Sequence, residues 1–139
     1  MSERVSERMN EGLSFSYPIR VYWEDTDGGG VVYYANYLKF LERCRTEWLR
    51  TKGYSQQALA TDPGILFMVL RVEIDYRGPA RLDDELRVSC RYRPDSRTTA
   101  WFDQAIHRGD DLLVEAQVRV VCVDAQSLRP KRIAEYLHE

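Results

Sequence analysis

The sequence predicts an α+β domain, a curved antiparallel sheet of about five strands wrapped around one long central helix. Three observations carry that prediction. Between about Tyr34 and Lys52 apolar residues recur at helical spacing. After Gly64 the period falls to two and largely stays there. No second helix of comparable length is available, so the sheet has to curl around the one that exists.

The first strand is expected at Phe15 to Trp23, "FSYPIRVYW", which mixes aromatic and β-branched residues. Pro18 puts it at an edge or at a strand entry, because proline donates no ladder hydrogen bond. In the long helix Tyr37, Leu41, Cys44 and Trp48 form the apolar stripe, and Leu38 and Leu49 widen it. Lys39, Arg43, Glu47 and Arg50 mark the solvated side. Arg50 and Lys52 suit a helix C-terminus, and Gly53 can supply a left-handed cap. The length is roughly 25 Å at 1.5 Å per residue. A shorter helix from about Ser55 to Thr61 opens with Ser55 as N-cap and stops at "DPG".

Leu70, Val72, Ile74 and Tyr76 then alternate with charged residues. Leu86, Val88, Cys90 and Tyr92 do the same, as do Val114, Ala116, Val118, Val120 and Cys122. A noisier strand runs from Thr98 to His107, and "RPDSR" and the "RGDD" around Gly109 are turn chemistry. The expected order is one strand, the long helix, then four consecutive antiparallel strands. A final short helix is expected from about Lys131 to Leu137. "ILFMVL" at Ile65 to Leu70 is apolar on both faces, which in a one-helix domain implies a partner subunit.

At 139 residues the chain reads as a single domain at 14–139 behind a flexible polar tail at 1–13. With 44% hydrophobic and 30% charged residues it fits a globular protein. A net charge of −2 and a pI near 5.8 argue against nucleic acid as a partner. No apolar run approaches the roughly 18 residues that cross a bilayer, and the N-terminus lacks the apolar segment of a signal peptide. Three cysteines, Cys44, Cys90 and Cys122, each in an apolar-periodic segment, suit buried reduced thiols in the cytoplasm. Two histidines and no CxxC or HExxH spacing leave little from which to build a metal site, and none is expected.

The stretch "YWEDTDGGGVVYYANY", Tyr22 to Tyr37, sets Glu24, Asp25 and Asp27 against Gly28, Gly29 and Gly30, just before the long helix. As a calcium loop it fails. Gly29 stands where a ligand should be, Asn36 replaces the closing glutamate, and a strand precedes it. Two readings remain. The loop is an acidic strand-to-helix turn, or a catalytic one. In the second, bare backbone lets a ligand approach, unpaired N–H groups at the helix start polarise a carbonyl, and a carboxylate attacks that carbonyl or deprotonates a water. The residues alone leave both open.

"VYWEDTDGGGVVYYANYLKFLERCRTEWLR" (Val21 to Arg50) resembles the opening of hot-dog-fold acyl-CoA thioesterases of the 4-hydroxybenzoyl-CoA thioesterase family. It is most similar to the Tol–Pal-associated branch. "VEIDYRGPARLDDEL" (Val72 to Leu86) and "VVCVD" (Val120 to Asp124) continue the match, which covers about Tyr17 to Arg132. The resemblance implies a cytoplasmic homo-oligomer, a dimer or a dimer of dimers (homotetramer), that hydrolyses acyl-CoA, with acyl-carrier-protein thioesters as an alternative substrate, without a cofactor. It places the catalytic carboxylate on Asp27 and the activating backbone N–H on Tyr34. Many members of the branch carry histidine at that last position; tyrosine keeps the N–H and removes a possible helper.

Gly30, Val31 and Tyr33 around the loop are implied substrate contacts, as are Phe67 and Met68 across a subunit interface. Arg97, Lys131 and Arg132 are the implied CoA-binding residues. Blander roles compete with each: surface charge for the cations, core packing for Phe67 and Met68. Asp83 and Asp84 read as turn residues, and Trp48, Trp101 and Tyr92 as core aromatics. The rival functions are a non-catalytic acyl-CoA-binding protein and an envelope-associated interaction protein on the same fold. A hot-dog dehydratase is disfavoured, since neither His107 nor His138 is placed near the loop.

Overall fold

The helical stripe and the alternating strands come together around one core. A computed structural model of the chain describes residues 15–133 and Leu137. The elements are β1 (Phe15–Arg20), a 3-10 turn (Trp23–Asp25), α1 (Asn36–Thr51), α2 (Gln56–Thr61), β2 (Ile65–Tyr76), β3 (Glu85–Pro94), β4 (Thr99–Arg108) and β5 (Asp111–Asp124). The expected tail at 1–13 lies outside the described residues.

All five strands form one antiparallel sheet in the order β1-β3-β4-β5-β2. The sheet wraps α1, whose Tyr37, Phe40, Leu41, Cys44 and Trp48 are buried against Leu86, Val88, Phe102, Ile106, Val114 and Val118. Each such large side chain taken out of water stabilises the fold by about 1.5–3 kcal/mol. The predicted caps form: Ser55 Oγ accepts the Ala58 N–H at 3.1 Å, and Gly53 adopts φ +90° after α1. The turns form as well. Asp83 takes φ +71°, and Asp84 Oδ2 accepts the Arg81 N–H at 2.8 Å.

Five expectations change. β1 stops at Arg20, because Asp25 Oδ2 captures the Tyr22 N–H at 2.9 Å and closes a local turn that competes with the ladder. α1 begins at Asn36, with Tyr33 and Tyr34 in the turn before it. Of the four strands after the helix only β3, β4 and β5 are neighbours in sequence order: β2 lies at the far edge beside β5, and the chain crosses over to place β3 next to β1. Trp101 leaves the core for the outer face, where the Arg93 and Arg119 guanidiniums lie 5.6 and 5.9 Å from its ring. Lys131 to Ile133 are not helical; Pro130 bridges Val123, and the Ile133 N–H donates to Arg97 O at 2.8 Å. The rest of that expected helix, apart from Leu137, lies outside the described residues.

β2 explains the apolar run. A register shift between Val69 and Arg71 bulges the strand, and Met68, Val69 and Leu70 are 43%, 50% and 54% exposed on a free edge. Val72 and Tyr76, on the alternation expected to face inward, are exposed too, although Tyr76 still packs on Tyr37 of α1 with ring centres 5.6 Å apart.

His107, on β4, is buried with its Nδ1 unpartnered among the described residues. Burial, reinforced by the Arg87 charge, holds its pKa below the ordinary value. The unfolded chain therefore binds this proton more readily than the folded one. The contribution to stability is complete above the ordinary histidine pKa of about 6.5 and is lost as pH falls below it. Urea midpoints measured across that range should drop on acidification, and His107→Gln should flatten the dependence.

Candidate active site

The acid–glycine stretch folds into a small hairpin. Thr26 bridges Val32, the Asp27 N–H donates to Val31 O at 3.0 Å, and the Tyr33 N–H donates to Asp25 O at 3.0 Å. Gly28, Gly29 and Gly30 form the tip, with Gly28 at φ +89° and Gly30 at φ +84°, where a side chain is strained. Gly29 has a different reason to be glycine. Its N–H donates to Asp27 Oδ1 at 2.8 Å, and a Cβ there would stand 3.1 Å from that same oxygen. The returning arm is tied to the segment before β3 by Val32 N–H to Ala80 O at 2.8 Å and Leu82 N–H to Gly30 O at 3.0 Å.

The two aspartates of this loop do opposite things. Asp25 is 9% exposed, and besides its carboxylate bond to Tyr22 its carbonyl accepts both the Tyr33 N–H and Asn36 Nδ2, the latter at 2.8 Å. Asp27 is exposed at the tip. Just beyond Tyr33, the N–H groups of Tyr34 and Ala35 have no acceptor among the described residues, while Asn36, Tyr37 and Leu38 close the first turn of α1. Such unpaired donors at a helix start attract negative charge.

Phenols surround this point. The Tyr33 and Tyr34 rings are 4.9 Å apart, and Tyr76 of β2 meets Tyr34 edge-on at 6.2 Å while its hydroxyl donates to Tyr34 O at 3.3 Å. Its bond with Tyr34 holds the Tyr33 hydroxyl above the ordinary phenol pKa, and burial does the same for Tyr76. Neutral phenols of Tyr33 and Tyr76 thus flank the helix start.

Asp27, Gly30, Val31, Tyr33 and Tyr34 therefore share one loop. The other expected residues lie elsewhere. Arg97 and the Lys131–Arg132 pair are drawn together by the Ile133–Arg97 bond, and Lys131 Nζ donates to Pro63 O at 3.2 Å. They occupy the opposite end of the sheet, about 30 Å away along β4. Phe67 lines a 240 Å³ cavity with Trp48, Tyr92 and Phe102, whereas Met68 does not line it, since neighbouring strand residues point to opposite faces. The sequence marks Asp25 only as one of three loop acids, Asn36 only as a mismatch to a calcium loop and Tyr76 only as a strand residue, because no spacing announces the contacts that give them their roles.

Residues 21–139 match the family described as the thioesterase-like superfamily. The chain is 46% identical over 84% of its length to an acyl-CoA thioesterase YbgC of Haemophilus influenzae, covering 85% of that protein. It is 45% identical over 90% of its length to an acyl-CoA thioester hydrolase YbgC of Escherichia coli, covering 92% of it. Among solved structures, a probable thioesterase from Bartonella henselae superposes with a TM-score of 0.83 at 34% identity, covering 87% of this chain and 99% of that one.

The Asn36 side chain is what ties the helix start to the carbonyl of the buried aspartate. Asn36→Ala should cost about 1 kcal/mol in unfolding free energy and speed hydrogen exchange at the Tyr33 amide. Unchanged exchange there would deny Asn36 this role.

Proposed function

The chain belongs to the thioesterase-like superfamily and, within it, to the Tol–Pal-associated acyl-CoA thioesterase branch, and from that premise we propose that it hydrolyses acyl-CoA thioesters to a carboxylic acid and CoA. One observation carries the reading to particular atoms. An exposed carboxylate, Asp27, sits on one arm of a hairpin whose other arm ends in the acceptor-free N–H groups of Tyr34 and Ala35.

In this mechanism the thioester carbonyl oxygen accepts the Tyr34 N–H, which stabilises the negative charge that builds up there on attack. Asp27 either attacks the carbonyl carbon, forming a mixed anhydride as the CoA thiolate leaves, or removes a proton from the attacking water. In the first course water then cleaves the anhydride and restores the carboxylate. Gly30 and Val31 leave the approach open, and Tyr33 stands beside it. Acyl-carrier-protein thioesters present the same reacting group. The three cysteines are free and buried, which fits work in the reducing cytoplasm.

The basic end completes the site only in a dimer. β2 ends at Tyr76, which touches Tyr34, and begins beside Pro63, which touches Lys131. Two β2 edges paired antiparallel about a twofold axis would bring the cationic end of one protomer to the Asp27 end of the other. Arg97, Lys131 and Arg132 would then meet the CoA phosphates. The same pairing covers the exposed apolar residues of β2, in a dimer or in a dimer of such dimers.

Asp27→Asn preserves shape and removes the charge, so kcat should fall roughly 10²–10⁴-fold; near-normal release of free thiol would reject the assignment. Gly29→Ala presses on the same carboxylate and should lower kcat roughly tenfold or more while the fold survives. Leu70→Lys should shift the sedimentation coefficient toward that of a monomer and raise KM for CoA esters. An unchanged oligomer and KM would reject the β2 interface.

A further inference from the structure

The cavity that Phe67 lines has aromatic and aliphatic walls, with Glu42, Arg45 and Gln56 as its polar lining. Trp48 stacks on Tyr92 with ring centres 4.8 Å apart, Phe102 meets Trp48 edge-on, and Val120 closes the sheet side. Into this wall α1 sends Arg45, whose Nη1 donates to Gln104 Oε1 at 2.9 Å. Gln104 is fully buried, and its Nε2 donates to Leu41 O at 3.1 Å, so its amide is fixed with the oxygen toward the guanidinium. No other hydrogen bond and no carboxylate within 4.0 Å engages Arg45 among the described residues. Glu42 also borders the cavity, but its carboxylate accepts from the Thr46 hydroxyl at 3.0 Å, which in turn accepts from Gln56.

A guanidinium has five donors in a planar fork suited to a carboxylate. Arg45 borders the cavity with only Nη1 partnered among the described residues; burial disfavours its charge, and the nearby Glu42 carboxylate favours it. At 240 Å³ the cavity exceeds the roughly 150 Å³ that holds a benzene-sized body, with room for a carboxylate besides. Arg45 stands nine residues into α1 from Asn36, about 14 Å along the axis, so a chain of medium length is needed to join the two regions.

We propose that this cavity takes a medium-length apolar chain ending in a carboxylate, with Arg45 binding the charged end. Resting on the thioesterase reading, this makes the ligand either an acyl-CoA with a second, distal carboxylate or the free acid released by hydrolysis.

The full-length protein is given suberyl-CoA and octanoyl-CoA, which match in chain length and differ in the distal carboxylate. It is also titrated calorimetrically with octanoate and with octanol. A wild-type kcat/KM at least about tenfold higher for suberyl-CoA, carried by KM and abolished in Arg45→Met, assigns the distal carboxylate as ligand. Equal rates on the two esters, with octanoate binding that octanol does not match and that Arg45→Met abolishes, assign the free acid. Arg45→Lys should keep part of whichever preference is found, which separates loss of charge from loss of folding. Equal rates together with no preference for octanoate over octanol in the wild type overturn the proposal. If neither ester is hydrolysed, the thioesterase reading fails, and the octanoate titration alone decides this one.

Discussion

The grip of Asp25 on both arms of the loop is what the rest of the site depends on. Its carboxylate takes the Tyr22 N–H, and its carbonyl takes the Tyr33 N–H and the Asn36 amide. Three segments that glycine would otherwise leave free are thereby held by one residue: the exit from β1, the returning arm of the hairpin and the first residue of α1. Burial strengthens the arrangement, because hydrogen bonds shielded from water compete less with solvent. With the arms fixed, the exposed Asp27 and the acceptor-free N–H groups of Tyr34 and Ala35 are presented from a defined loop. Two carboxylates two positions apart are thus divided between holding the loop and facing solvent, and the division follows from burial alone.

The sheet has two ends with different chemistry. At one, the hairpin contributes an anion and the helix start contributes positive backbone dipoles. At the other, the β3–β4 turn and the segment after β5 contribute Arg97, Lys131 and Arg132. Because β2 runs the length of this division and is an edge strand, its pairing decides whether the ends cooperate. A free edge carrying Met68, Val69 and Leu70 is an aggregation hazard unless something covers it. The same strand that exposes these side chains also carries Tyr76, whose hydroxyl reaches the carbonyl of Tyr34. In the proposed dimer, subunit contact and the geometry of the helix start are linked through a single strand.

Much of this was legible in the sequence, for identifiable reasons. The stripe from Tyr37 to Trp48 and the alternation in β3 and β5 are responses to burial on one side, and periodicity reports burial directly. The turn residues Asp83, Gly53 and Ser55 were readable because their conformational needs are local. Strand order was not readable, since alternation shows which face is buried and not which strand lies beside it. The end of β1 was misplaced because Asp25 competes for the Tyr22 N–H, a contact invisible to propensity. Trp101 was misassigned because an aromatic ring held between Arg93 and Arg119 satisfies its apolar surface without entering the core. In the candidate site the loop residues were found together by proximity in the chain, whereas the separation of the basic group from them is a property of the topology.

On the proposed reading, charge accounts for a basic group at the far end. A CoA ester carries several negative charges, and an exposed Asp27 repels them, as does a chain of net charge −2. Had Arg97, Lys131 and Arg132 stood beside Asp27 in the same protomer, one of them would have paired with the carboxylate and quenched it as a base or nucleophile. Placed about 30 Å away along the sheet, they cannot. In the proposed twofold pairing they approach from the partner, at the distance of the phosphates and not of the thioester. The phenols of Tyr33, Tyr34 and Tyr76 cluster at the helix start. On that reading the carboxylate stays available for chemistry, because the cations that would attract the substrate reach it only through the substrate's own length.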